Sequence, residues 1–146
     1  MSGRAPIASV VVEREVHAGI DTVFAALTSA DAMARWFSPT GVAAVDADVS
    51  VGGSFHIVML GEGVRIEHTG KFLAVDPPHR ISFTWESPYT GSTPGVVTIT
   101  LTPRGELTVV RLTHEGLPDA AAVESHRSGW PAILGQLAQL VERQRQ

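Results

Sequence analysis

The segment 119–141, DAAAVESHRSGWPAILGQLAQLV, decides the fold. Its positions Val123, Trp130, Ile133, Leu134, Leu137, Leu140 and Val141 recur at the spacing that gathers side chains on one face of a helix. Asp119, which follows Gly116-Leu117-Pro118, places a carboxylate where the free N–H groups of a first turn need an acceptor. Pro131 cannot donate to the carbonyl four residues back, so the reading predicts a kink near Arg127 to Gly129. Gly129 is expected to let the helix approach its neighbour closely. A helix this long and one-sided needs a broad apolar surface to lie on, and the chain before it supplies one.

From Val42 to His114, short apolar alternations are separated by Gly, Pro and Asp, the pattern of an antiparallel meander. Strands are expected near 42–47, 53–60, 63–75, 79–86, 95–102 and 106–114. Gly61-Glu62-Gly63 and Pro103-Arg104-Gly105 read as hairpin turns, and Asp76-Pro77-Pro78 neither donates fully to a ladder nor continues a strand. Gly70, inside a predicted strand, marks a bulge or bend. Residues 8–17, ASVVVEREVH, form a further strand at the start. Two short helices follow, with Asp21 and Asp31 as expected N-caps, and Ser38-Pro39-Thr40-Gly41 ends the second. One strand, two short helices, six strands and one long helix make an α+β protein in which a curved antiparallel sheet wraps the last helix.

Alternation along the strands points Phe55, Ile57, Met59, Val64, Ile66, His68, Ile81, Phe83, Trp85, Val97, Ile99, Leu101, Val110, Leu112 and His114 inward. Arg65, Glu67, Thr69, Ser82, Thr84, Thr98, Thr100 and Arg111 take the opposite phase. His68 and His114 interrupt the apolar inner face, and His126 lies four residues before Trp130 on the inward stripe of the helix. An apolar cavity with a few polar groups is the common form of a small-ligand site. The candidate lining is Trp36, Phe55, Ile57, Met59, His68, Phe83, Trp85, Ile99, His114, His126, Trp130 and Leu134, with Trp36 mainly a packing residue. Trp85 and Trp130 either meet across the cavity or fill the core with each indole N–H on a backbone carbonyl.

Composition bounds the rest. The chain has 146 residues, 44% of them hydrophobic, enough for one core and one domain over 1–146 with its centre at about 8–143. A formal net charge of −4 without a basic block argues against nucleic acid. There is no cysteine, which excludes disulfides and thiolate chemistry. No signal sequence and no bilayer-length apolar run is evident, so a cytoplasmic protein without membrane insertion is expected.

The ordered motifs Val12-x-Arg14, Val23-Phe24-x-Ala26-Leu27-Thr28, Arg35-Trp36-Phe37, Asp48-x-x-Val51-Gly52-Gly53, Asp76-Pro77-Pro78-His79-Arg80-Ile81-x-Phe83-Thr84-Trp85, Val97-Thr98-Ile99-Thr100-Leu101 and His126-x-x-Gly129-Trp130 resemble the START-like, or SRPBCC, superfamily. Within it the likeness is to the branch named after the activator of Hsp90 ATPase homologue 1, from about residue 10 to the end. The resemblance implies a helix-grip fold with an elongated apolar cavity between the last helix and the sheet. The co-chaperone that names the branch also carries a separate N-terminal domain, and this chain starts at the first strand, which counts against Hsp90 activation, while a stress-related or chaperone-interacting protein stays an alternative that the resemblance implies.

Two functions are weighed on this basis. The first is a cofactor-free binding protein for a small hydrophobic or aromatic ligand whose polar end meets His68, His114 or His126. The second is a small cyclase, dehydratase or hydrolase in which a cavity histidine moves a proton; no Ser-His-Asp order and no paired inward carboxylates support it, and Tyr89 stands alone in a loop. Zinc on the three histidines is disfavoured by their spacing. The 87–95 loop is a possible lid or partner surface, and Val58 and Leu60, in the outward phase, suggest a homodimer.

Overall fold

The computed structural model describes residues 8–61, 63–88 and 94–143. Its elements run β1 (Ala8–Val16), α1 (Ile20–Leu27), α2 (Ala30–Trp36), β2 (Ala43–Ala47), β3 (Ser54–Gly61), β4 (Val64–Asp76), β5 (Arg80–Trp85), β6 (Gly95–Arg104), β7 (Leu107–Leu117) and α3 (Ala120–Arg143). All seven strands form one antiparallel sheet in the order β1-β7-β6-β5-β4-β3-β2. The sheet is curved and does not close. The chain leaves one edge at β1, crosses through α1 and α2 to the other edge at β2, and returns strand by strand to pair β7 with β1.

The long helix seals the concave face. Ala122, His126, Trp130, Ile133, Leu134, Leu137, Ala138 and Val141 are its buried positions, spaced by three and four residues as the sequence requires. Asp119 caps it by accepting from the backbone N–H of Ala122 at 2.8 Å. The helix continues without interruption from Ala120 to Arg143 across Pro131, whose missing donor is tolerated inside an otherwise packed helix.

The short helices differ from expectation at their starts. α1 begins after Gly19 with no side-chain cap, and α2 after Ser29, whose hydroxyl accepts from the Ala32 N–H at 3.2 Å. Asp21 and Asp31 instead lie in the first turns, where a carboxylate is favoured by the helix dipole.

Strand bounds follow the alternation to within a few residues, and β7 runs to Leu117, three beyond the predicted end. The register shift in β4 falls between Phe72 and Ala74, beside Leu73, while Gly70 lies at the bend where β4 passes from β3 to β5. A Cβ on Gly70 would stand 2.0 Å from the Thr84 carbonyl oxygen and 2.4 Å from the ring of Phe55, its cross-strand partner. Glycine is there because two strands and an aromatic ring converge on it.

One hydrophobic cluster links α1, α2, α3 and the concave face of the sheet. The predicted outer face is polar, with Glu13–Arg111, Glu15–Arg104 and Arg65–Glu67 ion pairs. Two of its residues are more covered than alternation implies: Ser82 is buried and faces the Thr98 hydroxyl at 3.2 Å, and Val58 is 5% exposed. Leu60 is half-buried, so neither Val58 nor Leu60 forms an exposed apolar patch. Among the described residues, no helix is long and apolar enough to cross a membrane.

Candidate functional site

Between the concave face and α3 lies a pocket of about 200 Å³, lined by Pro39, Met59, Ile66, His68, Trp85, Ser125, His126, Gly129, Trp130 and Ile133. β3, β4 and β5 supply the sheet wall, and the helical spacing Ser125, Gly129, Ile133 supplies the other. Pro39 and Ser125 are exposed and mark where the pocket meets solvent. The rim loop is fixed on two sides, because Gln136 donates to the Pro39 carbonyl at 3.0 Å and the Thr40 hydroxyl donates to the Leu60 carbonyl.

Along the lining and behind it, aromatic rings pack in sequence. His68 stacks on Trp85 with centroids 4.5 Å apart, Trp85 meets Trp130 at 5.1 Å, and Phe37 stacks on Trp85 at 5.4 Å. Trp130 donates its indole N–H to Nδ1 of His114 at 3.0 Å. His114 therefore carries its hydrogen on Nε2 when neutral. That nitrogen lies beside Gly95, where a Cβ would come within 2.8 Å of it. His126 packs edge-on to His114 at 4.8 Å and holds Nδ1 2.7 Å from the Ala122 carbonyl oxygen.

Polar satisfaction is incomplete. His68 Nδ1, Trp85 Nε1 and His114 Nε2 are sealed from solvent without a hydrogen-bond partner, at a site where each such group costs roughly 1–3 kcal/mol. Burial pushes the His68 imidazole from its ordinary 6.5 down to about 4, against the opposing pull of the Ile57 and Ile66 carbonyls, whose approach makes no well-formed bond to Nδ1. Burial, and then the neighbouring His126, lower His114 to about 3. Both rings are neutral at pH 7.

Of the twelve candidate lining residues, Met59, His68, Trp85, His126 and Trp130 line this pocket. Phe55, Ile57 and Phe83 instead surround a void of about 10 Å³ in the packed core, together with Met33, Phe37, Phe72 and Ile81. Ile99 and Leu134 are core residues at 0% and 1% exposure. Trp36 is a packing residue whose N–H donates to the Ala26 carbonyl at 2.9 Å. His114 stands behind Trp130. Of the three indoles only that of Trp36 finds a backbone carbonyl, since Trp130 uses a side chain and Trp85 has no partner.

Gly129 also has a different role from the expected one. Nothing lies within 4 Å of a Cβ built there, so it leaves space in the pocket rather than permitting close contact with the sheet. Ser125 was not singled out by the sequence reading, although its four-residue step to Gly129 places it on the same face. Among the described residues, no three His, Asp or Glu side chains converge in a way that would hold a metal ion. Residues 89–93 of the 87–95 loop, including Tyr89, lie outside the described residues, as does Glu62.

A curved antiparallel sheet gripping a long C-terminal helix over an apolar pocket defines a helix-grip protein of the START-like, or SRPBCC, class. The profile of the activator of Hsp90 ATPase homolog 1-like protein family matches residues 17–142, and the chain belongs to that family. Solved structures agree. Protein CV1439 from Chromobacterium violaceum is 29% identical, with a TM-score of 0.79 over 92% of this chain and 98% of its own. Protein MLL2253 from Mesorhizobium loti is 27% identical, with a TM-score of 0.78 over 93% and 98%. PFC0360w, an Hsp90 activator from Plasmodium falciparum, is 25% identical, with a TM-score of 0.61 over 75% and 74%. No curated protein matches the chain significantly.

Proposed function

We propose that this chain is a binding protein for a small uncharged molecule with an aromatic or otherwise apolar body, held between the sheet and α3. The observation that carries the reading is the pocket itself: Met59, Ile66, Trp85, Trp130 and Ile133 give it an apolar lining, interrupted by His68 and His126. A charged guest would lose its hydration among such neighbours without a counter-charge. The glycine at position 129 supports the same reading, because glycine in a helix interior costs about 1 kcal/mol relative to alanine and here no contact requires it.

A catalytic role has less support. His68 and His114 are held neutral by burial, and among the described residues no carboxylate is hydrogen-bonded to any of the three pocket-side imidazoles. The likeness to an Hsp90 activator speaks for the family, and no feature of the pocket speaks for a chaperone partner.

Substituting Gly129→Leu tests the proposal. A leucine side chain grows into the open space and competes with any guest, while the helix gains a better helix former. Binding of single-ring aromatic compounds, followed by amide chemical shifts, should weaken about tenfold or more, with a melting temperature no lower than that of the native chain. Unchanged affinity would place the ligand elsewhere.

A further inference from the structure

We infer that the pocket selects rings that carry a hydrogen-bond donor, the hydroxyl of a neutral phenol being given to Nε2 of His126. This rests on the reading of the pocket as a ligand site and adds the chemical class of the ligand. The argument begins at the backbone of α3. The Ala122 carbonyl oxygen only accepts, so with Nδ1 of His126 at 2.7 Å from it the ring hydrogen resides on Nδ1. Nε2 keeps its lone pair. His126 lines the pocket, its Nε2 receives no hydrogen bond from the described residues, and it is not among the polar atoms sealed away from access.

The indole N–H groups and Nδ1 of His68 do not compete for that role, and the Ser125 hydroxyl stands at the exposed rim of the pocket. Trp130 has committed its N–H to His114, and the Trp85 N–H and His68 Nδ1 are sealed within the packing of their own rings. The pocket thus presents, on its helical wall, an acceptor of fixed tautomer in an apolar frame. That is the complement of a ring with an O–H group, because an ether or ketone of the same shape would set lone pair against lone pair. Size agrees: the volume is about 200 Å³, and an apolar cavity of about 150 Å³ is known to accept benzene.

The test compares phenol, anisole and toluene at pH 8, with ¹⁵N-labelled histidine read by NMR. Phenol should move the Nε2 resonance of His126 upfield, as acceptance of a hydrogen bond does, whereas bound anisole and toluene should leave it in place. His126→Phe should weaken phenol roughly three- to tenfold and leave anisole and toluene within about twofold. If that variant does not fold, the imidazole shift in the native chain decides. An Nε2 resonance indifferent to phenol, or equal losses for phenol and anisole on substitution, would overturn the inference while the ligand-pocket reading stood. Failure of all three rings to bind would instead overturn that reading.

Discussion

Between pH 7 and pH 4 the protein is expected to lose on the order of 6 kcal/mol of stability, through two imidazoles alone. His68 and His114 are 5% and 0% exposed and have folded values of about 4 and about 3, against an ordinary 6.5. The sign follows from proton counting. Below pH 6.5 the unfolded chain binds a proton at each ring while the folded chain binds none, so acid favours unfolding. The stability these rings confer is complete above pH 6.5. It declines as pH falls towards about 4 for His68 and about 3 for His114. With both engaged the slope approaches about 2.7 kcal/mol per pH unit. A domain of this size has about 5–15 kcal/mol in total, so the transition should come into view near pH 4.

Urea titrations at pH 7, 6, 5 and 4 measure the slope directly. His68→Phe keeps a ring against Trp85 and removes one titrating group, and should about halve the slope above pH 4. A stability flat between pH 6.5 and 4.5 would show that water reaches these rings. Exposed ion pairs on the convex face add little to the comparison, since such pairs contribute about 0–1 kcal/mol each.

Period carried most of the fold in the sequence. Strand alternation and the helical stripe from Val123 to Val141 depend only on which side of an element a residue occupies, and that side is the same in any fold that buries one face of each. Helix starts were less legible. Ser29 and Asp31 are both good N-cap residues two positions apart, and the choice of Ser29 depends on where the chain turns after α1, which is a tertiary matter. The site was legible only in part for a similar reason. Phase says that Phe55, Ile57, Ile99 and His114 point inward, but it cannot say which inward residues meet each other and which meet a space. That depends on the sheet's curvature and on how deeply α3 sits. Phe37 shows the limit: as the residue just beyond α2 it has no phase, yet it stacks on both Trp36 and Trp85.

Gly70→Ala should be among the most damaging methyl groups that can be added to this protein, costing about 3 kcal/mol or more. The new carbon would sit 2.0 Å from a backbone oxygen, that of Thr84, and 2.4 Å from the Phe55 ring. A ring can rotate away, but the oxygen belongs to β5. On either side of Gly70 the β4–β5 edge is already pinned, by the paired Thr69 and Glu86 backbones at 3.0 and 2.9 Å and by the Lys71 N–H on the Thr84 hydroxyl at 2.8 Å. Relief therefore requires the two strands to part where the sheet bends, and that bend is what brings His68 and Trp85 over to α3. The same methyl at Gly129 meets nothing within 4 Å and relieves a helix of its least favourable ordinary residue, so Gly129→Ala should stabilise by about 0.5–1 kcal/mol. Chemical denaturation of the two variants checks both signs at once. A Gly70→Ala protein as stable as the native one would mean that β4 and β5 are not held together at the bend, and the pocket wall they form would have to be redrawn.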